Sequence, residues 1–152
     1  LFWHPQGSYL AVMNMFVEAR KREKHSVELF ETKEMRANEI AHMQIAINRQ
    51  VIKFHGCFFE PTQAKIAIHA QSKRIVEQGM ANFSNETSKN LVDLYQIKSD
   101  ATIGFHLKPL GTMAGEKIQE VFWSGAGNIL CTIDADGLHK NSLNFFMIQK
   151  NA

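Results

Sequence analysis

Six short stretches of the chain carry residue types that could do chemistry. Gly111-Thr112-Met113-Ala114-Gly115-Glu116-Lys117 has glycines and a lysine, but not the spacing of a phosphate-binding loop, and no Ser or Thr follows the Lys. Gly125-Ala126-Gly127 lacks the third glycine of a dinucleotide fingerprint. Asp134-Ala135-Asp136-Gly137 begins like a calcium loop, yet Phe145 stands where the bidentate Glu belongs, so it reads as an Asp-Gly turn. His55 and Cys57, two residues apart, would share one face of a strand, but no second pair at metal-ligand spacing accompanies them, so a packed histidine and a buried thiol are expected and no metal. Asn82-Phe83-Ser84 and Asn85-Glu86-Thr87 match glycosylation acceptors.

The sixth stretch is basic. Arg20, Lys21, Arg22 and Lys24 put four cations in five positions and could neutralise several phosphates of a nucleic acid. Charge runs of this kind are also common at solvated hairpin tips. Lys73 and Arg74 form a weaker candidate of the same sort. None of these patterns supplies a nucleophile, a general base or a cofactor cradle, and the sequence predicts no enzyme, no cofactor and no small-molecule substrate.

The elements that hold these residues follow from a repeat. Phe2–Val12 (FWHPQGSYLAV) returns without gaps as Phe58–Ile68 (FFEPTQAKIAI) and Phe122–Thr132 (FWSGAGNILCT). Each copy is an aromatic pair, a polar turn and a short apolar run. Trp3, Phe59 and Trp123 are the anchors, at intervals of 56 and 64 residues, and such self-similarity marks a repeat architecture. The turns are Pro5-Gln6-Gly7, Pro61-Thr62-Gln63 and Gly125-Ala126-Gly127. Proline presets φ and glycine supplies a positive-φ position, so each copy is predicted to be a β-hairpin. Val92-Asp93-Leu94-Tyr95 also repeats Val27-Glu28-Leu29-Phe30, so whole units recur.

Helix propensity runs high over residues 15–50, but between Val17 and Val27 only Ala19 is apolar, and no amphipathic stripe forms. We therefore predict a charged hairpin loop over 18–25, a third strand at Val27–Thr32 and a fourth at Ile40–Ile47, with a short helix possible within 33–42. The second unit reads as Val51–Phe59, Lys65–His69, a polar loop Gln71–Asn90, Leu91–Ile97 and Ala101–Leu107, ended by Pro109 and a loop at Gly111–Gly115. The third reads as Lys117–Trp123, Asn128–Ile133 and Leu143–Ile148. Four short strands per unit make the blade of a β-propeller, with Trp3, Phe59 and Trp123 buried between blades. The expected fold is all-β: about three consecutive four-stranded blades, over 1–50, 51–115 and 116–152, of a larger WD40-like β-propeller, residues 1–152 being a fragment of a longer chain.

Composition agrees with one globular unit: 152 residues, 45% hydrophobic and 21% charged. A net charge of +2 does not by itself announce a nucleic-acid partner. Cys57 and Cys131 are expected as reduced thiols, which suits an intracellular protein, and no apolar run is long enough to span a membrane.

The series FWHPQGSYLAV, VELFETKE, VIKFHGCFFEPTQAKIAIHA, LVDLYQIK and IQEVFWSGAGNILCTID resembles the propeller of the b subunit of eukaryotic translation initiation factor three, and the related propeller of initiation factor 2A shares its grammar. Phe59 for Trp, Gln63 for Gly and Gly125 for Pro depart from the pattern. The resemblance implies a cytoplasmic, non-enzymatic scaffold of translation initiation. Its partners would be the small ribosomal subunit, through ribosomal RNA and ribosomal proteins, and other subunits of initiation factor three. Two other readings stand beside it: the propeller of a prolyl-oligopeptidase-like hydrolase, whose Gly-x-Ser-x-Gly elbow is not in these residues, and a protein-binding propeller outside translation.

Overall fold

A computed structural model describes residues 1–19, 22–36, 39–45, 51–73, 88–115, 118–134 and 142–148. Among them every regular element is a strand, and the strands form three antiparallel sheets. Sheet one holds β1 (Phe2–Trp3), β2 (Tyr9–Glu18), β3 (Arg22–Arg36) and β4 (Glu39–Gln44) in chain order. Sheet two holds β5 (Val51–Phe59), β6 (Lys65–Lys73), β7 (Ser88–Asp100) and β8 (Gly104–Gly115), and sheet three β9 (Ile118–Trp123), β10 (Ile129–Asp134) and β11 (Ser142–Met147).

The three repeats are hairpins in one register, each in its own sheet. Trp3 pairs with Leu10, Phe59 with Ile66 and Trp123 with Leu130. The turns close alike: the amides of His4, Glu60 and Ser124 donate to the carbonyls of Tyr9, Lys65 and Ile129. Gly7 and Gly127 adopt φ of +73° and +74°, the left-handed region that glycine occupies without a Cβ penalty. The second turn has Gln63 in that place and differs inside the same closure: the Lys65 amide donates to the Gln63 carbonyl, where the others have the Gly7 and Gly127 amides donating to the His4 and Ser124 carbonyls. The third strands are locked by one more repeated bond, from the amides of Thr32, Ile97 and Ile148 to the carbonyls of Ser8, Ala64 and Asn128.

Strand alternation gives each sheet two faces. Ala11, Val27 and Leu29 of sheet one meet Phe54, Phe59, Ile66 and Ile68 of sheet two in one core cluster. The opposite face of sheet two supplies Ala67, Val92 and Leu94 to a second cluster with Ile118, Val121 and Leu130 of sheet three. Sheet two is thus covered on both sides.

Several expectations are overturned. Of the expected loop over 18–25, residues 18 and 22–25 are strand: β2 runs to Glu18, β3 starts at Arg22, and the two pair directly, Phe16 with Lys24 and Glu18 with Arg22, while residues 20 and 21 lie outside the described set. Polar residues can extend a hairpin once it is zipped, because ladder hydrogen bonds do not depend on side-chain type. The same holds for the polar loop at Gln71–Asn90, whose ends Gln71–Lys73 and Ser88–Asn90 are paired strand. The helix within 33–42 is strand as far as Arg36 and again from Glu39, and β4 ends at Gln44, with residues 46 and 47 of the expected fourth strand outside the described set.

Ala101–Ile103 is a turn, and β8 then runs on through Pro109 to Gly115, where a strand end and a loop had been expected. Proline is tolerated there because β8 is an edge strand, and a bulge falls between Leu94 and Tyr95 opposite it. The candidate loop at Gly111–Gly115 is therefore part of a ladder. Residues 135–137 and the two glycosylation-type sites at Asn82 and Asn85 lie outside the described residues.

Candidate functional site

The first strands of the three sheets come together along one groove. Equivalent positions line it: Leu1, Phe2, Trp3 and Pro5 from sheet one, Cys57, Phe58, Phe59 and Pro61 from sheet two, and Val121, Phe122, Trp123 and Gly125 from sheet three. Its volume is about 590 Å³, within the range of ligand pockets, and its lining is mostly aromatic and aliphatic. Such a surface offers stacking and apolar contact; it holds no side chain that could act as acid, base or nucleophile other than Cys57. That thiol is buried, and burial pushes its pKa up to about 12, so it stays protonated and inert.

The anchors occupy this groove unequally. Phe59 is buried, stacked on Tyr9 at 6.4 Å and edge-on to His4 at 5.5 Å. Trp123 is half-buried, and its indole Nε1 donates to the Phe58 carbonyl at 2.9 Å. Trp3 is 57% exposed, against the expectation that all three anchors are covered. An anchor is covered by the sheet before its own, and no sheet lies against that side of Trp3 among the described residues.

His4 is buried on the turn of sheet one and bridges to sheet two. The Gln6 amide donates to Nδ1 at 3.1 Å, so Nε2 carries the proton and donates to the Gln63 carbonyl at 3.1 Å. Glu60, at the equivalent place on sheet two, is also buried; its Oε1 accepts from the amide and hydroxyl of Thr62 at 2.9 and 2.7 Å, while Oε2 has no hydrogen-bond partner. The Glu60 carboxylate fills the space that a Cβ on Gly127 would need, so Gly127 answers both a backbone angle and a close approach.

The basic stretch forms a different kind of surface. Beyond the β4 pairing at Glu28 and the bond from the Ile45 amide to the Val27 carbonyl, β2 and β3 continue, among the described residues, as a two-stranded arm. Arg20 and Lys21 lie outside the described residues, and Arg22 stands opposite Glu18 in the ladder. Lys24 is exposed, pairs with Phe16 across the strands and makes an ion pair with the Glu18 carboxylate. Met15, Phe16 and Val17 are 63%, 48% and 63% exposed, so apolar and basic groups share the arm. Lys73 ends β6, and Arg74 lies outside the described residues.

His55 and Cys57 do not share a face. A bulge between Phe54 and Gly56 makes His55 the extra residue. Cys57 then packs with Phe54, Ile66 and Ile68 against sheet one, whereas the His55 ring lies 4.6 Å from that of His69, on the side of sheet three. His69 is buried with Nε2 unpartnered; burial first, and the neighbouring His55 second, lower its pKa to about 4. His55 is exposed, not packed as expected; its partial desolvation lowers its pKa, which the Asn90 side chain partly offsets. Strand alternation alone could not reveal this pair, because the bulge at His55 is what brings its ring to the side of His69.

Among the described residues, no three His, Cys, Asp or Glu side chains gather as metal ligands would, and no helix is long and apolar enough to cross a membrane. No protein-family model and no curated protein matches the chain.

Proposed function

We propose that the three sheets are consecutive blades of a β-propeller that serves as a cytoplasmic, non-enzymatic scaffold in translation initiation, binding the small ribosomal subunit and other subunits of initiation factor three. The observation that carries this reading is the shared register of the three hairpins, Trp3–Leu10, Phe59–Ile66 and Trp123–Leu130, in three successive sheets. That is the grammar on which the resemblance to the factor-three b subunit rests. Chemistry supports binding over catalysis: the groove is apolar, and its thiol is held protonated.

Ribosomal RNA would be met by the β2–β3 arm. Lys24 and its basic neighbours contact phosphates, and exposed Phe16 beside Lys24 offers a ring on which a base can stack. The Lys24–Glu18 ion pair is exposed and therefore weak, so a phosphate can displace it.

Co-sedimentation of the chain with small ribosomal subunits across a salt series tests the reading. Replacing Arg20, Lys21, Arg22 and Lys24 by Ala should weaken binding and flatten its salt dependence by about one unit of slope for each phosphate no longer neutralised. Phe16→Ala should weaken binding without changing the slope. Absence of any binding by the wild-type chain would remove the ribosomal reading.

A further inference from the structure

His55 and His69 sit on the neighbouring strands β5 and β6, with ring centroids 4.6 Å apart. A bulge brings them together. Gly56 pairs with His69, and His55 is the extra residue beside it. Bulges re-aim single side chains next to working sites. Gly56 brings no side chain of its own, and a Cβ there would lie 2.8 Å from the Phe58 ring, so only glycine lets Phe58 close over the bulge. Cys57 takes no part, because it packs toward sheet one.

Each ring is held through one nitrogen and leaves the other bare. His69 is 2% exposed, and its Nε2 has no hydrogen-bond partner. The Ile118 backbone meets the other side of that ring and favours a proton there, as an accepting carbonyl does. Asn90 donates from Nδ2 to the Ile118 carbonyl at 3.3 Å, which leaves its side-chain oxygen to accept from His55. One N–H of each imidazole is thus engaged by an oxygen, and the second nitrogen carries a lone pair. This is the outer-shell arrangement that orients ligating histidines. Both rings resist protonation, so at neutral pH protons compete little for those lone pairs. A buried acceptor without a donor costs stability, and a bound cation answers it.

We propose that His55 and His69 together bind a divalent transition ion, copper(II) or nickel(II), in a site that clips β5 to β6. Two imidazoles side by side on one ion, with metal–nitrogen bonds of about 2.0–2.1 Å, put their centroids roughly 4.5–5 Å apart. The observed 4.6 Å lies at the near end of that span, where the angle at the ion approaches a right angle. Tetragonal coordination of that kind suits copper(II) and nickel(II) better than tetrahedral zinc. His69 reaches the ion from within the junction and the exposed His55 from its rim, so the remaining positions face solvent and take water. Among the described residues no third His, Cys, Asp or Glu joins them, which makes the ion exchangeable rather than a support of the fold. The exposed Lys53 ammonium acts on His55 and opposes a cation there, but solvent screens it. The inference rests on neither the propeller nor the ribosome.

Calorimetric titration of the intact chain with nickel(II) should show one equivalent bound, and copper(II) bound more tightly, as the affinity order of divalent ions requires. Electron paramagnetic resonance of the copper(II) form should show coupling to two ring nitrogens. His55→Ala and His69→Leu should each remove that pattern. Each should also lower nickel(II) affinity by more than the roughly tenfold expected of Asn90→Ala, which removes only an orienting partner. His55 is exposed, so His55→Ala keeps the fold, as far-UV circular dichroism checks, and it decides the matter even if His69→Leu fails to fold. His25→Ala, on the β2–β3 arm, should leave affinity unchanged. No binding by the wild-type chain, affinity untouched by His55→Ala (an adventitious ion only), or an equal loss in His25→Ala would overturn the proposal. Since no ribosomal component is present, its failure is separate from failure of the ribosomal reading.

Discussion

Between sheets one and two, Ala11, Val27 and Leu29 close on Ile66 and Ile68, and all five are 0% exposed. Between sheets two and three, Val92 and Leu130 are equally closed off, but His69 and Glu60 are buried beside them, each with one polar atom unpartnered. The backbone registers of the two junctions match. What differs is how the buried polar groups are met: at the first, His4 has both ring nitrogens hydrogen-bonded, while at the second His69 and Glu60 each keep an atom without a partner. A repeat can therefore keep its geometry and still assign different sensitivities to successive interfaces.

The largest effect should separate the junctions by packing. Leu29→Ala should cost about 2–5 kcal/mol in denaturant unfolding, as buried Leu truncations do. A loss well under about 1 kcal/mol would mean that the first junction does not depend on apolar burial.

Acid should act on the second junction. The folded pKa of His69, about 4, lies below its ordinary 6.5, so the unfolded chain takes up the proton first as pH falls. Stability is then fully present above about 6.5 and declines toward pH 4, by up to roughly 3 kcal/mol at 1.36 kcal/mol per unit. In His69→Leu this slope should flatten, and the unpartnered nitrogen disappears with it. Unchanged pH dependence in the variant would assign the acid sensitivity to other groups.

The smallest comparison uses the two glycines with nearly equal φ. Gly7→Ala should cost roughly 1–2 kcal/mol, the penalty of a Cβ in the left-handed region, since nothing crowds that site. Gly127→Ala should exceed it by at least about 1 kcal/mol, because Glu60 and the Thr62 hydroxyl must also move. Equal losses in thermal unfolding would show that Glu60 yields freely.

Much of this architecture is legible in the residues, and the parts that are not share a cause. The hairpins can be read because Pro5, Gly7, Gly127 and the aromatic pairs act within a few positions of one another. The third strands can be read because Val27-Glu28-Leu29 and Val92-Asp93-Leu94 repeat. Strand length could not: Glu18 and Lys24 look like loop residues until pairing across the arm places them together. Pro109 suggests a strand end unless the edge position of β8 is known. Trp3 and Trp123 are the same residue in the same register, and their different exposure is decided by what lies beside each sheet. The approach of His55 to His69 depends on a bulge that one extra residue in β5 creates.

The fit of Glu60 against Gly127 has a consequence for how such a chain can be rearranged. The turn of each sheet is matched to the sheet that precedes it: Gln63, which has no positive φ, follows His4, and Gly127 follows Glu60. The units are therefore not interchangeable modules. Duplicating the second unit in tandem would set the Glu60 side chain against Gln63 where its present neighbour is a bare α-carbon, so Glu60 would have to move, whereas duplicating the third would set the smaller Ser124 against Gly127. Serial order is written into the turns, and shuffling by whole-unit duplication is open at one end of the chain and closed in its middle.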